Sequence, residues 1–354
     1  MSPVTGTTSS ARRVVLLVAA ALSLAAAAVA SPAAAAPGYS DQRLFGPDRY
    51  ATAAAVAGDY LRDVGEGDAL SFLLARGDDP TDALAASFVA GVGPLLLTRT
   101  DALPAATADL LGQVNADAVD EVLVLGGTGA VSDDVVRQVE ALGYRTRRLA
   151  GPDRFATAVR IAAEVPQDDV PDVRDLGDAA FLASGRGFAD ALAAGTVSCA
   201  GPPILLTEKA FVPQATAQAL GDRGIDVVFV LGGPGAVDQA VVAYLEDQDL
   251  LVARLSGPDR WATAAAVTGF GLDEELLDPS TAVVTRGDAF PDALSAGAYG
   301  CGAPLVLTLP TSVPPGTAAQ LDLIRPDVVF GTVIGGSGAV SESVRAEITN
   351  RLRS

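Results

Sequence analysis

The segment RLFGPDRYATAAAVA begins at Arg43, returns as RLAGPDRFATAVRIA at Arg148, and appears again as RLSGPDRWATAAAVT at Arg254. Successive copies start about 105 residues apart, a length typical of one folded domain. The sequence therefore predicts three domain-sized repeats, at residues 43–147, 148–253 and 254–352.

Three further segments follow each copy in a fixed order. The first contains Gly-x-x-x-x-Asp-Ala-Leu, the second is an apolar run that ends in Leu-Thr, and the third contains Gly-Gly-x-Gly-Ala-Val. Short apolar runs alternate with helical patterns such as DALAASFVAGV, which predicts parallel strands joined by helical crossovers. We expect each repeat to read βαβαβαβα, and we expect the three α/β modules to close into a ring about a pseudo-three-fold axis.

Composition and charge narrow the class of protein. With 49% hydrophobic and 19% charged residues the chain is globular, and its net charge of −19 disfavours nucleic acid as a partner. The chain has no His and two Cys, which excludes a His-based catalytic triad and a zinc site built from these residues. We expect no metal and no catalytic residue.

The N-terminal region, residues 1–36, predicts an export signal. Arg12 and Arg13 precede the apolar run VVLLVAAALSLAAAAVA, which small-residue cleavage sites follow. The remaining chain lacks an uncharged apolar run of about 18 residues, the length that a membrane-spanning helix needs. The sequence therefore predicts a secreted protein with no transmembrane segment after cleavage.

The repeated motifs resemble those of the cell wall binding repeat 2 proteins of Gram-positive bacteria and actinobacteria. The shared motifs are Arg-Leu-x-Gly-x-Asp-Arg-aromatic-x-Thr-Ala and the three segments that follow it, and they cover residues 42–352. The resemblance implies three Rossmann-like or Toprim-like modules packed as a pseudo-trimer that holds surface proteins noncovalently to anionic wall polymers. We expect an extracellular, cell-wall-associated monomer with no further domain after the repeats. A secreted wall-glycan hydrolase and a surface scaffold or self-association module are the alternatives.

The second arginine of each copy is the first candidate for polymer contact. It follows Gly-Pro-Asp at the start of a predicted helix, where exposed N–H groups favour anions, and a guanidinium can bind phosphate or carboxylate through two bonds. Alternatively, each arginine pairs with a carboxylate and ties two loops together. The arginines are Arg49, Arg154 and Arg260, and the candidate carboxylates are Asp48, Asp153, Asp259, Asp82, Asp190 and Asp292.

The aromatic residues of the motifs also have two interpretations, and the aspartates have a predicted structural role. Tyr50, Phe155 and Trp261 are either packing residues or rings that stack on sugars. The aspartate of each Gly-to-Asp segment stands where a strand-to-helix loop ends, which predicts that it caps the following helix. These predicted caps are Asp82, Asp190 and Asp292.

The glycine turns resemble part of a dinucleotide-binding fingerprint, since Gly127-Thr128-Gly129 follows a predicted strand and precedes a helix. The third glycine of the fingerprint is absent, and Ser132 stands in its place. A tight turn between strand and helix explains these glycines without a ligand. We therefore expect no cofactor.

The two cysteines occupy equivalent positions in different repeats. Cys199 and Cys301 each lie nine residues after the aspartate of their own segment, at Asp190 and Asp292, while the first repeat has Gly91 there. Equivalent residues meet only near the axis, so a disulfide forms if this helix lines the centre. Otherwise both cysteines are small buried apolar residues.

Overall fold

The computed structural model describes residues 39–63, 70–80, 82–165, 178–199 and 201–354. The predicted export signal lies outside these residues. Three four-stranded parallel sheets form the described chain, with the strand orders β3-β2-β4-β5, β7-β6-β8-β9 and β1-β12-β10-β11. The strands are β1 Ser40–Leu44, β2 Leu70–Arg76, β3 Leu95–Thr98, β4 Val119–Leu125, β5 Thr146–Leu149, β6 Ala179–Ser184, β7 Ile204–Thr207, β8 Val227–Leu231, β9 Leu251–Leu255, β10 Thr281–Arg286, β11 Leu305–Thr308 and β12 Phe330–Ile334.

Helices connect the strands, as parallel pairing requires. Short 3₁₀ segments at Ala86–Val92 and Ala116–Ala118 supplement them. The helices are α1 Arg49–Asp63, α2 Ala105–Gln113, α3 Asp133–Ala141, α4 Arg154–Ala162, α5 Ala189–Ala193, α6 Gly195–Ser198, α7 Gln214–Asp222, α8 Gln239–Glu246, α9 Arg260–Asp273, α10 Pro291–Tyr299, α11 Pro315–Ile324 and α12 Glu342–Arg353.

The predicted architecture of three parallel-sheet α/β modules is confirmed. The apolar runs form the central strands, and β6 and β8 are buried along their whole length because helices cover both faces of the sheet. We number the modules by their central strands: module 1 contains β2, module 2 contains β6 and module 3 contains β10.

The sheets are offset from the sequence repeats. Strands β5 and β9, which contain the boundaries drawn at residues 147/148 and 253/254, pair with β4 and β8 of the preceding module. Strand β1 pairs in parallel with β12, from Ser40 opposite Phe330 to Leu44 opposite Ile334. Each copy of the repeated segment therefore contributes to two modules. Its strand is the edge strand of one sheet, and its helix is the first helix of the next module. The pairing of β1 with β12 closes the ring.

The centre of the ring is where equivalent residues of the three modules meet. A Cβ added to Gly195 would lie 3.0 Å from Gly297 Cα and 3.4 Å from Ser87 Oγ, and these three residues occupy the same repeat position. Cys199 and Cys301 follow four residues later and form a disulfide with their Cα atoms 5.5 Å apart. The helices of the Gly-to-Asp segments therefore line the pseudo-three-fold axis, the arrangement under which the two cysteines can meet.

Candidate functional site

The first arginine of each repeated segment holds the glycine turn of its own sheet. Arg43 donates from Nη1 to the carbonyl oxygen of Gly335 at 2.7 Å and from Nη2 to that of Val340 at 2.9 Å. Burial lowers the pKa of Arg43 and of Arg254 from the usual value. The equivalent bonds join Arg148 to Gly126 at 2.8 Å and Arg254 to Gly232 at 2.6 Å.

The Gly-Pro-Asp turn brings the strand half close to the helix half. A Cβ on Gly151 would lie 2.4 Å from the Cβ of Ala156, so only glycine allows this approach. Asp153 caps α4 by accepting from the backbone N–H of Ala156 at 2.9 Å, and the hydroxyl of Thr157 accepts from the N–H of Gly151 at 3.1 Å. Asp48 and Asp259 cap α1 and α9 in the same way.

The second arginine of each segment is anchored by one carbonyl group. Arg154 Nη1 donates to the carbonyl oxygen of Gly185 at 2.7 Å, and the equivalent bonds join Arg49 to Gly77 at 2.5 Å and Arg260 to Gly287 at 2.9 Å. None of these arginines forms an ion pair with a carboxylate that the structure describes. The predicted pairing alternative is therefore absent from these residues, and each guanidinium keeps N–H groups for another acceptor.

The aspartates of the Gly-to-Asp segments are not helix caps, contrary to the prediction. The N-cap of α10 is Phe290, and Asp292 lies in the first turn. A Cβ on Gly335, which has a φ of +109°, would lie 2.7 Å from Asp292 Oδ2, so the carboxylate packs against the glycine turn. Asp82 and Asp190 pack in the same way against Gly126 and Gly232. A dinucleotide pyrophosphate at these turns would meet a carboxylate.

These aspartates face the repeated segment of the next module. Burial raises the pKa of Asp82, Asp190 and Asp292 above the usual range, and nearby arginines partly oppose this increase. The arginines include Arg154 for Asp82, Arg260 for Asp190 and Arg49 for Asp292. Each boundary between modules thus places one desolvated carboxyl group across from one rim arginine.

The aromatic residue of each segment packs inside its module. Phe155 is 6% exposed, and a Cβ on Gly185 would lie 2.6 Å from its ring. Tyr50 packs likewise against Gly77, and its ring lies 5.5 Å from the Arg99 guanidinium. Trp261 packs against Gly287. The packing reading accounts for these rings, and Phe155 has no ring face open for stacking on a sugar.

A cleft of about 730 Å³ lies between modules 1 and 2, at the carboxyl ends of β2 and β4. Ligands of parallel sheets bind at this edge. Its walls include Asp82, the turn residues Gly127 and Gly129, Arg154 and Phe211. Arg76 and Arg186 also line the cleft, but they form ion pairs with Asp79 and Glu208. Among the described arginines of this cleft, Arg154 is the one without a carboxylate partner.

The second arginines surround one end of the axis. The guanidinium of Arg49 lies 5.8 Å from the ring centroid of Phe290, that of Arg260 lies 5.6 Å from the ring of Phe188, and the two rings are 5.6 Å apart. Arg154 and Phe188 line one small cavity of about 240 Å³. We call these five residues the rim. It concentrates positive charge on a chain whose net charge is −19.

Two features are absent from the described part of the chain. No helix there is long and apolar enough to cross a membrane. No group of three or more His, Cys, Asp or Glu side chains there is arranged to hold a metal ion.

The fold and its cyclic site define a three-module α/β protein built from one repeated binding unit. The family model for Cell wall binding domain 2 matches residues 43–136, 148–242 and 254–345, and the chain belongs to this family. It is thus a cell-wall-binding protein by family.

Two curated relatives and two solved structures resemble the chain. N-acetylmuramoyl-L-alanine amidase LytC of Bacillus subtilis is 28% identical over 88% of this chain and 58% of its own length. The amidase enhancer of the same organism is 25% identical over 88% of this chain and 40% of its own. This chain therefore spans about half the length of these relatives.

The structures are Cwp6 and Cwp8 from Clostridium difficile, each 24% identical to this chain. Cwp6 matches with a TM-score of 0.77 over 94% of this chain and 50% of its own length. Cwp8 matches with a TM-score of 0.73 over 88% of this chain and 51% of its own. At this identity the likeness shows a shared fold.

Proposed function

We propose that this chain is a secreted, non-catalytic protein that attaches noncovalently to an anionic polysaccharide of the cell wall. The rim arginines Arg49, Arg154 and Arg260 supply the cationic contacts, one at each boundary between modules. Family membership supports the wall as the target, and residues 1–36 support secretion because they read as an export signal.

The observation that carries this proposal is the bonding state of the rim arginines. Each is held by one carbonyl group, and none has an ion-pair partner among the described carboxylates, although neighbouring arginines such as Arg76 and Arg186 do. A planar guanidinium held in this way suits a phosphate or carboxylate, which it can bind through two hydrogen bonds.

Three equivalent sites on one rigid ring suit a repetitive polymer. Once one site is occupied, the next anionic group of the same polymer binds from a high effective concentration, which can raise avidity by about 10²–10⁴. The net charge of −19 repels any polyanion at long range, but charges farther away than roughly 8 Å are largely screened at physiological salt, so contacts at the rim decide the binding.

Purified wall sacculi test the proposal. The full chain is incubated with sacculi before and after acid extraction of their secondary polymers, at low and at high salt. We expect retention on untreated sacculi that falls with salt and is lost after extraction. Equal retention on extracted sacculi would contradict a polymer receptor.

A wall-glycan hydrolase is the second candidate. Burial raises the pKa of Asp82 in the cleft, a condition that suits a general acid, and the relative LytC carries the name of an amidase. The release of soluble fragments from sacculi during the same incubation would favour catalysis over binding alone.

A further inference from the structure

Two exposed phenylalanines lie on the loops that follow β1 and β7, and one of them lines the cleft between modules 1 and 2. Phe211 is 59% exposed and lines the cleft between modules 1 and 2. Phe45 is 56% exposed and lies over Gly336, with its Cδ2 atom 3.6 Å from the position of an added Cβ. Tyr244, at 41%, is the other strongly exposed ring among the described residues. The exposed ring of Phe211 offers the cleft an apolar face on which another ring can stack.

The two phenylalanines make the clefts unequal. Position 211 is Ala102 in the first repeat and Ser312 in the third, and position 45 is Ala150 in the second and Ser256 in the third. By this equivalence the cleft between modules 3 and 1 has Phe45 with Ala102, and the cleft between modules 1 and 2 has Ala150 with Phe211. The cleft between modules 2 and 3 has Ser256 and Ser312.

A buried hydroxyl group holds the backbone of the loop that carries Phe211. Thr207 is fully buried, and its hydroxyl donates to the carbonyl oxygen of Phe211 at 2.9 Å. Thr98 and Thr308 make the same bond to Ala102 and Ser312, at 3.2 and 3.1 Å. The ring of Phe211 is therefore presented by a preorganised backbone, which reduces the entropy lost on binding.

Cationic and apolar surfaces face the same cleft. Arg154 lines it without a described carboxylate partner, and the N–H groups of Gly127 and Gly129 have no acceptor within the described residues. An added Cβ on either glycine would meet no atom within 4 Å, so there is space over Gly127 and Gly129, while the Asp82 carboxylate occupies the side of the turn at Gly126. A ligand with one apolar face and one anionic group complements these surfaces, and a sugar that carries a phosphate or carboxylate has both.

We propose that the clefts with Phe45 and Phe211 bind glycan units of the polymer by stacking of a sugar ring on the phenylalanine. The anionic substituent of that unit binds Arg49 or Arg154. The cleft between modules 2 and 3 contacts the anionic substituent alone, through Arg260. This inference rests on the proposed function and adds the two clefts and the contact that select the sugar.

The repeats supply matched substitutions for a test. Phe45→Ala and Phe211→Ala each introduce the residue of another repeat at an exposed position, and Tyr244→Ala is the control for an exposed ring outside the cleft. Binding to untreated sacculi is measured as an isotherm at two salt concentrations, with the melting temperature of each variant. We expect a roughly 3- to 10-fold loss for each phenylalanine, the product of both for the double variant, and an unchanged salt dependence. The Tyr244→Ala variant should bind as the wild type does.

The outcomes separate this inference from the proposed function. Wild-type affinity of the folded double variant, on sacculi whose acid extraction abolishes wild-type binding, would overturn the stacking contact and leave the polymer receptor intact. Absence of wild-type binding to untreated sacculi would remove both. A changed sedimentation coefficient with unchanged wall binding would show that the rings mediate self-association and would also overturn the inference.

Discussion

The two ends of the pseudo-three-fold axis differ in what the residues there contact. At the end that we call the base, Ser87, Gly195 and Gly297 touch at the axis and Cys199 bonds to Cys301. At the rim, Arg49, Arg154 and Arg260 are each held by one carbonyl oxygen and have no ion-pair partner among the described carboxylates. The base is held by close contacts and a covalent bond, whereas the rim keeps donors available.

This difference shows that one repeat serves two purposes. The base uses small residues and a covalent bond because three copies of one helix must approach closely there. The rim places three guanidinium groups at one end of the axis, and each is held by one carbonyl oxygen and keeps further N–H donors. Under the proposed function these donors bind the wall polymer, and the comparison then predicts that stability and wall attachment can be changed separately.

The largest expected effect comes from the base. Cys199→Ser with Cys301→Ser opens a cross-link between residues 102 positions apart, which the chain-entropy account values at about 4.7 kcal/mol. We expect the melting temperature to fall by roughly 10 °C, while binding to sacculi at room temperature stays unchanged. Loss of wall binding by the folded variant would show that base and rim are not independent. A thiol count on the unfolded, nonreduced wild type should find none.

A smaller effect is expected beside the rim. Burial raises the pKa of Asp190, so its ionised form costs folding free energy above the ordinary Asp range. The folded state takes up the proton first, and the cost disappears as pH falls through the raised folded pKa towards the unfolded value of about 3.9. We expect Asp190→Asn to raise the melting temperature at pH 7 and to leave it unchanged at pH 3, as measured by thermal unfolding at both pH values.

Asp153→Asn is the matched control for this substitution, because asparagine also caps a helix. Its melting temperature should stay within about 1 °C of the wild type at pH 7. A melting temperature of Asp190→Asn below that of the wild type at pH 7 would show that attraction to Arg260 outweighs burial.

The modules and their ring were predictable from the sequence because their determinants are local and repeated. Apolar runs such as SFLLA and EVLVLGG became β2 and β4, and the helical pattern between strands required parallel pairing. The equivalence of Cys199 and Cys301 pointed to the axis for the same reason.

The offset of the sheets was not predictable, because no local pattern encodes a partner far away in sequence. Strand β1 lies against β12, and the 290 residues between Gln42 and Thr332, which share a hydrogen bond, carry no sign of this pairing. The prediction that Asp292 caps a helix was wrong for a related reason. An aspartate near the start of a helix can be the cap or a residue of the first turn, and the sequence pattern is the same in both cases.

The exposed phenylalanines could not be predicted from the residues that the three repeats share. Phe45 and Phe211 differ from their equivalents in the other repeats, and nothing in the sequence states that both are exposed. The shared aromatics pack on the glycines that follow β2, β6 and β10, which leaves Phe155 buried and Tyr50 and Trp261 partly exposed.

The central claim is that the rim arginines bind the wall polymer. The most direct measurement compares the triple variant Arg49→Ala, Arg154→Ala, Arg260→Ala with a control of equal charge change, Arg62→Ala, Arg145→Ala, Arg160→Ala. Arg62 and Arg160 lie in the last turns of α1 and α4, and Arg145 precedes β5, so the control positions are at the opposite ends of these elements. Retention on untreated sacculi and the melting temperature are measured for both variants and for the wild type.

We expect the rim variant to lose retention by roughly 100-fold or more, because all three linked sites fail together, and to keep a melting temperature within a few degrees of the wild type. The control variant should bind as the wild type does. Full retention by a folded rim variant, or a loss of retention matched by the control, would contradict the account.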